Sequence, residues 1–229
     1  MTKYLIFDTG ALINFTSNGV LDLLRKLKEE FNGEFIITRS VKHEAIDHPL
    51  KIKRFEWGAL RIKQLIDEGT IKMAENHVIR AEELENKMKQ VLDKANNTFF
   101  ANRNSIHIID DGEAECMALS LLLTEQKIDN LVVIDERTAR LLCEKPENIK
   151  KILKKKLHTG ISSKLENVKE FNRIGVIRST ELAYIAYKRG YTKIKAPETL
   201  DALLFALKFG GVSISEDEIK EMKKIAKEK

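Results

Sequence analysis

Cysteine and proline are scarce in this chain of 229 residues, with two of the former and three of the latter. Cys116 and Cys143 are too few for a disulfide framework, and both fall on apolar helical patterns as small core residues. Long apolar runs are missing as well. Met117–Leu123 and Leu200–Leu207 are the best, both well short of the ~18 residues a membrane span needs, and the second contains Asp201. Met1–Lys3 leads straight into a strand-like segment without the apolar region of a secretory leader, so a cytoplasmic protein with no membrane partner is expected. No G-x-G-x-x-G and no phosphate-loop pattern occurs, which leaves a nucleotide cofactor unsupported. His43 and His48 are five apart, roughly 140° around an α-helix, which excludes a paired-histidine zinc helix. His77, His107 and His158 are scattered.

Charge is abundant and uneven. Residues 1–145 carry 21 basic and 24 acidic side chains, whereas residues 146–229 carry 19 and 11. The first part is therefore −3 and the second +8, an asymmetry that points to a polyanionic partner and says nothing of fold. Within the second part, Lys150, Lys151, Lys154, Lys155 and Lys156 form a basic run, and residues 158–173 are polar without a clear period.

Continuous apolar runs mark the strands. Tyr4-Leu5-Ile6-Phe7-Asp8 and Leu131-Val132-Val133-Ile134-Asp135 each end in an acid, and Phe35-Ile36-Ile37-Thr38 runs into a short helix over 40–46 that Pro49 stops. Apolar spacing predicts helices over 20–31 and 78–95, and Met117–Leu123 reads as a central helix buried on most sides. Beyond Pro146, a strand is predicted at Ile174–Ile177. Helices are predicted through Ala183–Lys188, from Pro197, and from the capping box at Ser215. Strands alternating with helices give an α/β fold with a parallel sheet.

Ligands of such sheets lie beyond the carboxyl ends of the strands. Asp8 and Asp135 stand at two of those ends, Glu44 follows the second strand, and Asp110-Asp111-Gly112-Glu113-Ala114-Glu115 opens the central helix. Converging carboxylates repel unless a cation lies between them, and an oxygen-only donor set suits Mg²⁺ or Mn²⁺. Each acid also has a plainer role. Asp8 can begin a turn, Glu44 can pair with Lys42 or Arg39, and Asp110 can cap its helix with Glu113 as the capping-box partner. On spacing alone Glu115 is the better ligand and Glu113 the more ambiguous; Asp135 is preferred to Glu136.

These segments resemble a known family. Phe7-Asp8-Thr9-Gly10-Ala11-Leu12-Ile13, Ile37-Thr38-Arg39-Ser40-Val41-Lys42-His43-Glu44, Asp111-Gly112-Glu113-Ala114-Glu115 and Val133-Ile134-Asp135-Glu136-Arg137 are similar, in order and spacing, to the four motifs of PIN domains. The resemblance covers roughly residues 4–145. It implies a three-layer α/β/α sandwich around a central parallel sheet, with 146–229 as a basic, mostly helical C-terminal extension packed on the first domain. It also implies Mg²⁺- or Mn²⁺-dependent cleavage of RNA, usually single-stranded. Asp8, Glu44, Glu113, Glu115 and Asp135 would be the catalytic and metal-binding residues, Glu113 being included because the Glu-Ala-Glu segment is similar to that of the related flap endonucleases. Many members are toxins held by an antitoxin, and members often dimerise. Gly10 stands where a haloacid-dehalogenase-type phosphatase has a second Asp, which argues against that chemistry.

In the tail, Arg173, Arg178, Lys188 and Arg189 lie among Phe171, Tyr184, Tyr187 and Tyr191, the mixture of cations and rings that contacts a single strand. The expectation is thus a metal-dependent endoribonuclease that activates water. The competing expectations are a non-catalytic RNA-binding or interaction protein of the same fold, and the toxin of a toxin–antitoxin pair.

Overall fold

The computed structural model describes residues 3–76 and 78–227; the expectation for His77 lies outside them. The chain begins β1 (Tyr4–Phe7), α1 (Thr9–Ser17), α2 (Leu21–Glu30), β2 (Glu34–Ile37) and α3 (Arg39–Lys42). A π-helical turn, His43–Asp47, and a 3₁₀ turn, Pro49–Lys51, lead into α4 (Lys53–Asp67), β3 (Lys72–Met73) and α5 (Ala81–Asn96). Then follow β4 (Phe99–Ala101), β5 (Asn104–Ser105), α6 (Asp111–Glu125), β6 (Asn130–Val133), α7 (Arg137–Glu144) and α8 (Glu147–Leu157). The remainder is β7 (Ile161–Ser163), a 3₁₀ stretch Leu165–Arg173, β8 (Val176–Ile177), α9 (Ser179–Lys188), α10 (Thr199–Phe209) and α11 (Glu216–Lys227).

The fold is α/β. Five parallel strands in the order β3-β2-β1-β6-β8 make the central sheet, flanked by helices. Tyr4 pairs with Glu34 on one side and Asn130 on the other, so β1, β2 and β6 are in step and end at one level. Covered on both faces, these strands need apolar side chains throughout, which is why Ile6, Phe7, Ile36, Ile37, Val132 and Val133 are fully buried. Each such side chain contributes about 1.5–3 kcal/mol. The rings of Phe7 and Phe35 meet at 5.2 Å across two strands. Helix α6 runs through the middle of the molecule, buried from Ala114 to Leu123, as its unbroken apolar sequence requires.

A second, antiparallel sheet has the order β5-β4-β7. Its hairpin turns on Asn102 and Arg103, both at positive φ (49° and 70°), the geometry that matches strand twist in a tight hairpin.

The part of the chain beyond 145 contributes a strand to each sheet. β8 comes from the C-terminal part and pairs in parallel with β6, while β7 pairs with β4. The polar stretch 158–173, which has no clear period, holds β7 and the 3₁₀ segment. The helix expected over 40–46 is corrected, because its second half is a π-turn closed by the His48 N–H to the His43 carbonyl at 2.9 Å.

Candidate metal centre

Parallel pairing brings the carboxyl ends of β1, β2 and β6 together, and the acids arrive with them. Asp8 directly follows β1 and its N–H donates to the Val133 carbonyl at 3.1 Å. Its side chain caps α1, accepting from the Gly10 N–H at 3.2 Å. Asp8 is only 4% exposed. Burial pushes its carboxyl up from 3.8 to about 7, against the pull of the Gly10 and Thr9 N–H groups and with help from the charges of Glu44 and Asp135.

Glu44 reaches the same place from the π-turn, a deformation that recurs at functional sites. It accepts from the Thr9 hydroxyl at 2.7 Å and the Gly112 N–H at 3.1 Å. Neither Lys42 nor Arg39 holds it; Lys42 is paired with Asp47 at 2.8 Å. Gly112 is required by this approach, since a Cβ there would lie 2.6 Å from Glu44 Oε2.

Two acids of α6 take different paths. Glu113 closes the expected capping box, accepting from the Asp110 N–H at 3.0 Å. It is at the same time pushed from 4.5 to about 8 by burial and then by the charge of Asp8, with Glu136 and Asp110 adding to it. Glu115, by contrast, accepts from the Ser40 N–H at 2.7 Å, tying α6 to α3. Glu113 is thus raised partly by the charge of Asp8, while Glu115 anchors a helix start. Glu136, the alternative to Asp135, caps α7 by accepting from the Ala139 N–H at 2.7 Å.

Asp135 is 2% exposed and saturated. One oxygen accepts from the Ser179 N–H at 2.8 Å, and the other from the Ser179 hydroxyl and the Asn14 amide, both at 2.7 Å. Burial raises its pKa, opposed by those donors. It thereby joins β6, α1 and α9 in one knot.

Thr9, Gly112, Asn14 and Ser179 escaped the sequence reading. Thr9 and Gly112 had a signal, lying beside candidate acids, with a glycine in a helix's first turn where alanine is the better former. Asn14 and Ser179 had none, being 121 and 44 residues from Asp135.

The tail cations differ in how they are engaged. Arg178 is half-buried and spent internally, on Glu181, on Glu218 at 2.8 Å and on the Ser213 carbonyl at 3.2 Å. Lys188 donates to the Ala226 carbonyl at 3.1 Å, and Arg189 pairs with Glu30 at 3.1 Å. Of the four, Arg173 is exposed and has no ion pair among the described residues. Cys116 and Cys143 are free and buried, as expected; burial raises both thiols. The His43 and His48 rings, on either side of the π-turn, stand 6.3 Å apart. Among the described residues, no three His, Cys, Asp or Glu side chains are already drawn together as a metal-binding group, and no helix is long and apolar enough to cross a membrane.

Compared with protein-family models, with curated proteins and with solved structures, the chain has no significant match in any of the three.

Proposed function

We propose that the chain is a divalent-metal-dependent endoribonuclease acting on single-stranded RNA, with Mg²⁺ or Mn²⁺ as cofactor. One observation carries this reading. Asp8, Glu44 and Glu113 arrive from three separate segments at one end of a parallel sheet, with Asp135 beside them. There burial, helped by neighbouring acids (Glu44 and Asp135 at Asp8, Asp8 at Glu113), pushes Asp8 up to about 7 and Glu113 to about 8. Such an arrangement is stable with protons or with a cation between the acids.

The donor set fits a hard cation. Its side-chain atoms are carboxylate oxygens, and the missing Cβ of Gly112 leaves room for Glu44. Asp8, Glu44 and Glu113 would hold the ion; Asp135, which accepts three hydrogen bonds, and Glu115, whose one engaged oxygen starts α3, would shape the walls. When bound, the ion neutralises charge on the scissile phosphate and lowers the pKa of an attacking water. The chain's own groups orient the acids. The Thr9 hydroxyl and the Gly112 N–H aim the Glu44 carboxylate, and Gly10 fixes Asp8. No protein nucleophile is required.

The bonded state of Asp135 and Glu115 favours a second reading, a non-catalytic interaction protein whose acids serve structure. The full chain with labelled single-stranded RNA and Mn²⁺ separates the two. Cleavage that stops with EDTA and in Asp8→Asn is expected; cleavage indifferent to both overturns the mechanism. Binding without cleavage supports the second reading.

A further inference from the structure

Between residues 145 and 173 stand nine basic and three acidic side chains, an excess of +6 where the whole chain has +5. Five of those cations, Lys150, Lys151, Lys154, Lys155 and Lys156, lie on α8, and every one is exposed. Several helical lysines elsewhere find acids: Lys26 with Glu29, Lys63 with Asp67, Lys89 with Glu85, Lys220 with Asp217. The α8 lysines have no ion pair among the described residues. Lys150 and Lys154, like Lys151 and Lys155, are four apart and share a face about 6 Å along the axis, a spacing at which like charges weaken a helix. The helix dipole favours cations in the last turn but gives no reason for Lys150 and Lys151.

We propose that α8 and the adjoining β4–β7 surface anchor the phosphodiester backbone of single-stranded RNA. The choice of RNA as the anion rests on the nuclease reading above. Charge complementarity is the main argument. Most of the apolar side of α8 is already used, with Ile149 fully buried and Leu153 8% exposed; Leu157 at its end, 43% exposed, is one side chain and not the continuous apolar face that lies in a lipid surface. Beside it, Lys164 lies 5.2 Å from the centre of the half-buried Phe100 ring. Phe100 pairs with exposed Ser162 across β4 and β7, on the side of the small sheet away from the buried Phe99, where a base can stack beside a cation. This places the RNA contact on α8 rather than on the internally bonded Arg178.

The test uses the full chain and a fluorescein-labelled oligouridylate in EDTA, so that no cleavage intervenes, with affinity measured across a salt series. The combined variant Lys150→Gln, Lys151→Gln, Lys154→Gln, Lys155→Gln should lose at least ~10-fold in affinity. Its salt slope should flatten by up to about 3, at roughly 0.7 per lost single-strand contact. A variant of equal charge change, Lys26→Gln, Lys63→Gln, Lys89→Gln, Lys220→Gln, should leave both within error. Equal losses in the two variants, or none in the first, overturn the proposal, as does loss of binding to phosphatidylserine vesicles with RNA binding intact. Mn²⁺-dependent cleavage with an unchanged salt slope sinks the anchor and leaves the nuclease. RNA binding that depends on α8 in a chain that never cleaves does the reverse.

Discussion

Two regions of this molecule concentrate charge of one sign and treat it in opposite ways. At the carboxyl end of the central sheet, acids are packed inside, where an ionised group needs a proton, a donor or a cation beside it. Asp135 has donors; Asp8 and Glu113 hold their protons up to about 7 and 8. Along α8 the lysines stand in water, which solvates them at little cost. The acid pole is therefore conditional on pH and, in the proposed function, on a cation, and the basic flank on salt.

The largest effect is expected where the acid pole holds the fold together. Asp135→Ala strips three buried donors of their acceptor and should cost about 3–5 kcal/mol, measured by urea unfolding. A loss below ~1 kcal/mol would mean the knot between β6, α1 and α9 is loose. Next is the pH dependence of the metal-free protein. The folded pKa of Asp8 is raised, so its contribution to stability is fully present below about 4 and is lost as pH rises through about 7. The shift corresponds to an effect on the order of 4 kcal/mol, and Glu113 extends the decline towards 8. Thermal unfolding of the wild type should therefore fall across that window, and Asp8→Asn should flatten the curve. A stability that rises from pH 5 to 8 contradicts the burial of an unpaired acid.

Smaller effects sharpen the contrast. Ser179→Ala removes one of the hydroxyl and amide bonds to Asp135 and should cost ~1–2 kcal/mol, with Mn²⁺ affinity nearly unchanged. Gly112→Ala should do the opposite. Its new Cβ displaces only the flexible end of Glu44, so stability should change by less than ~1 kcal/mol while Mn²⁺ affinity falls about tenfold by calorimetry. Loss of fold in that variant would show the helix start, not the carboxylate, to be what the glycine serves.

The central strands and three acids beyond them were legible because a strand covered on both faces must be apolar throughout, and Asp8 and Asp135 interrupt that run where the sheet ends. Helix α4 was not legible. Phe55 and Trp57 on it are 50% and 73% exposed, which blurs the apolar stripe a helix normally shows. The small sheet escaped because Ile161-Ser162-Ser163 is short and mostly polar, and its pairing with β4 is non-local. The same limit misplaced the tail cations. Arg178 and Arg189 look free in sequence, but Glu218 and Glu30 lie 40 and 159 residues away. Glu113 and Glu115 are two apart on one helix, and the sequence does not show that Glu115 turns to the Ser40 N–H of α3 while Glu113 closes the capping box and feels the charge of Asp8.

The central claim is that the acid pole takes a divalent cation. Titration calorimetry of the full chain with Mn²⁺ at pH 8, beside Asp8→Asn and Glu44→Gln, tests it most directly. Saturable binding that Mg²⁺ competes away and that both variants lose is predicted. Absence of binding in the wild type, or equal binding in all three proteins, would contradict it.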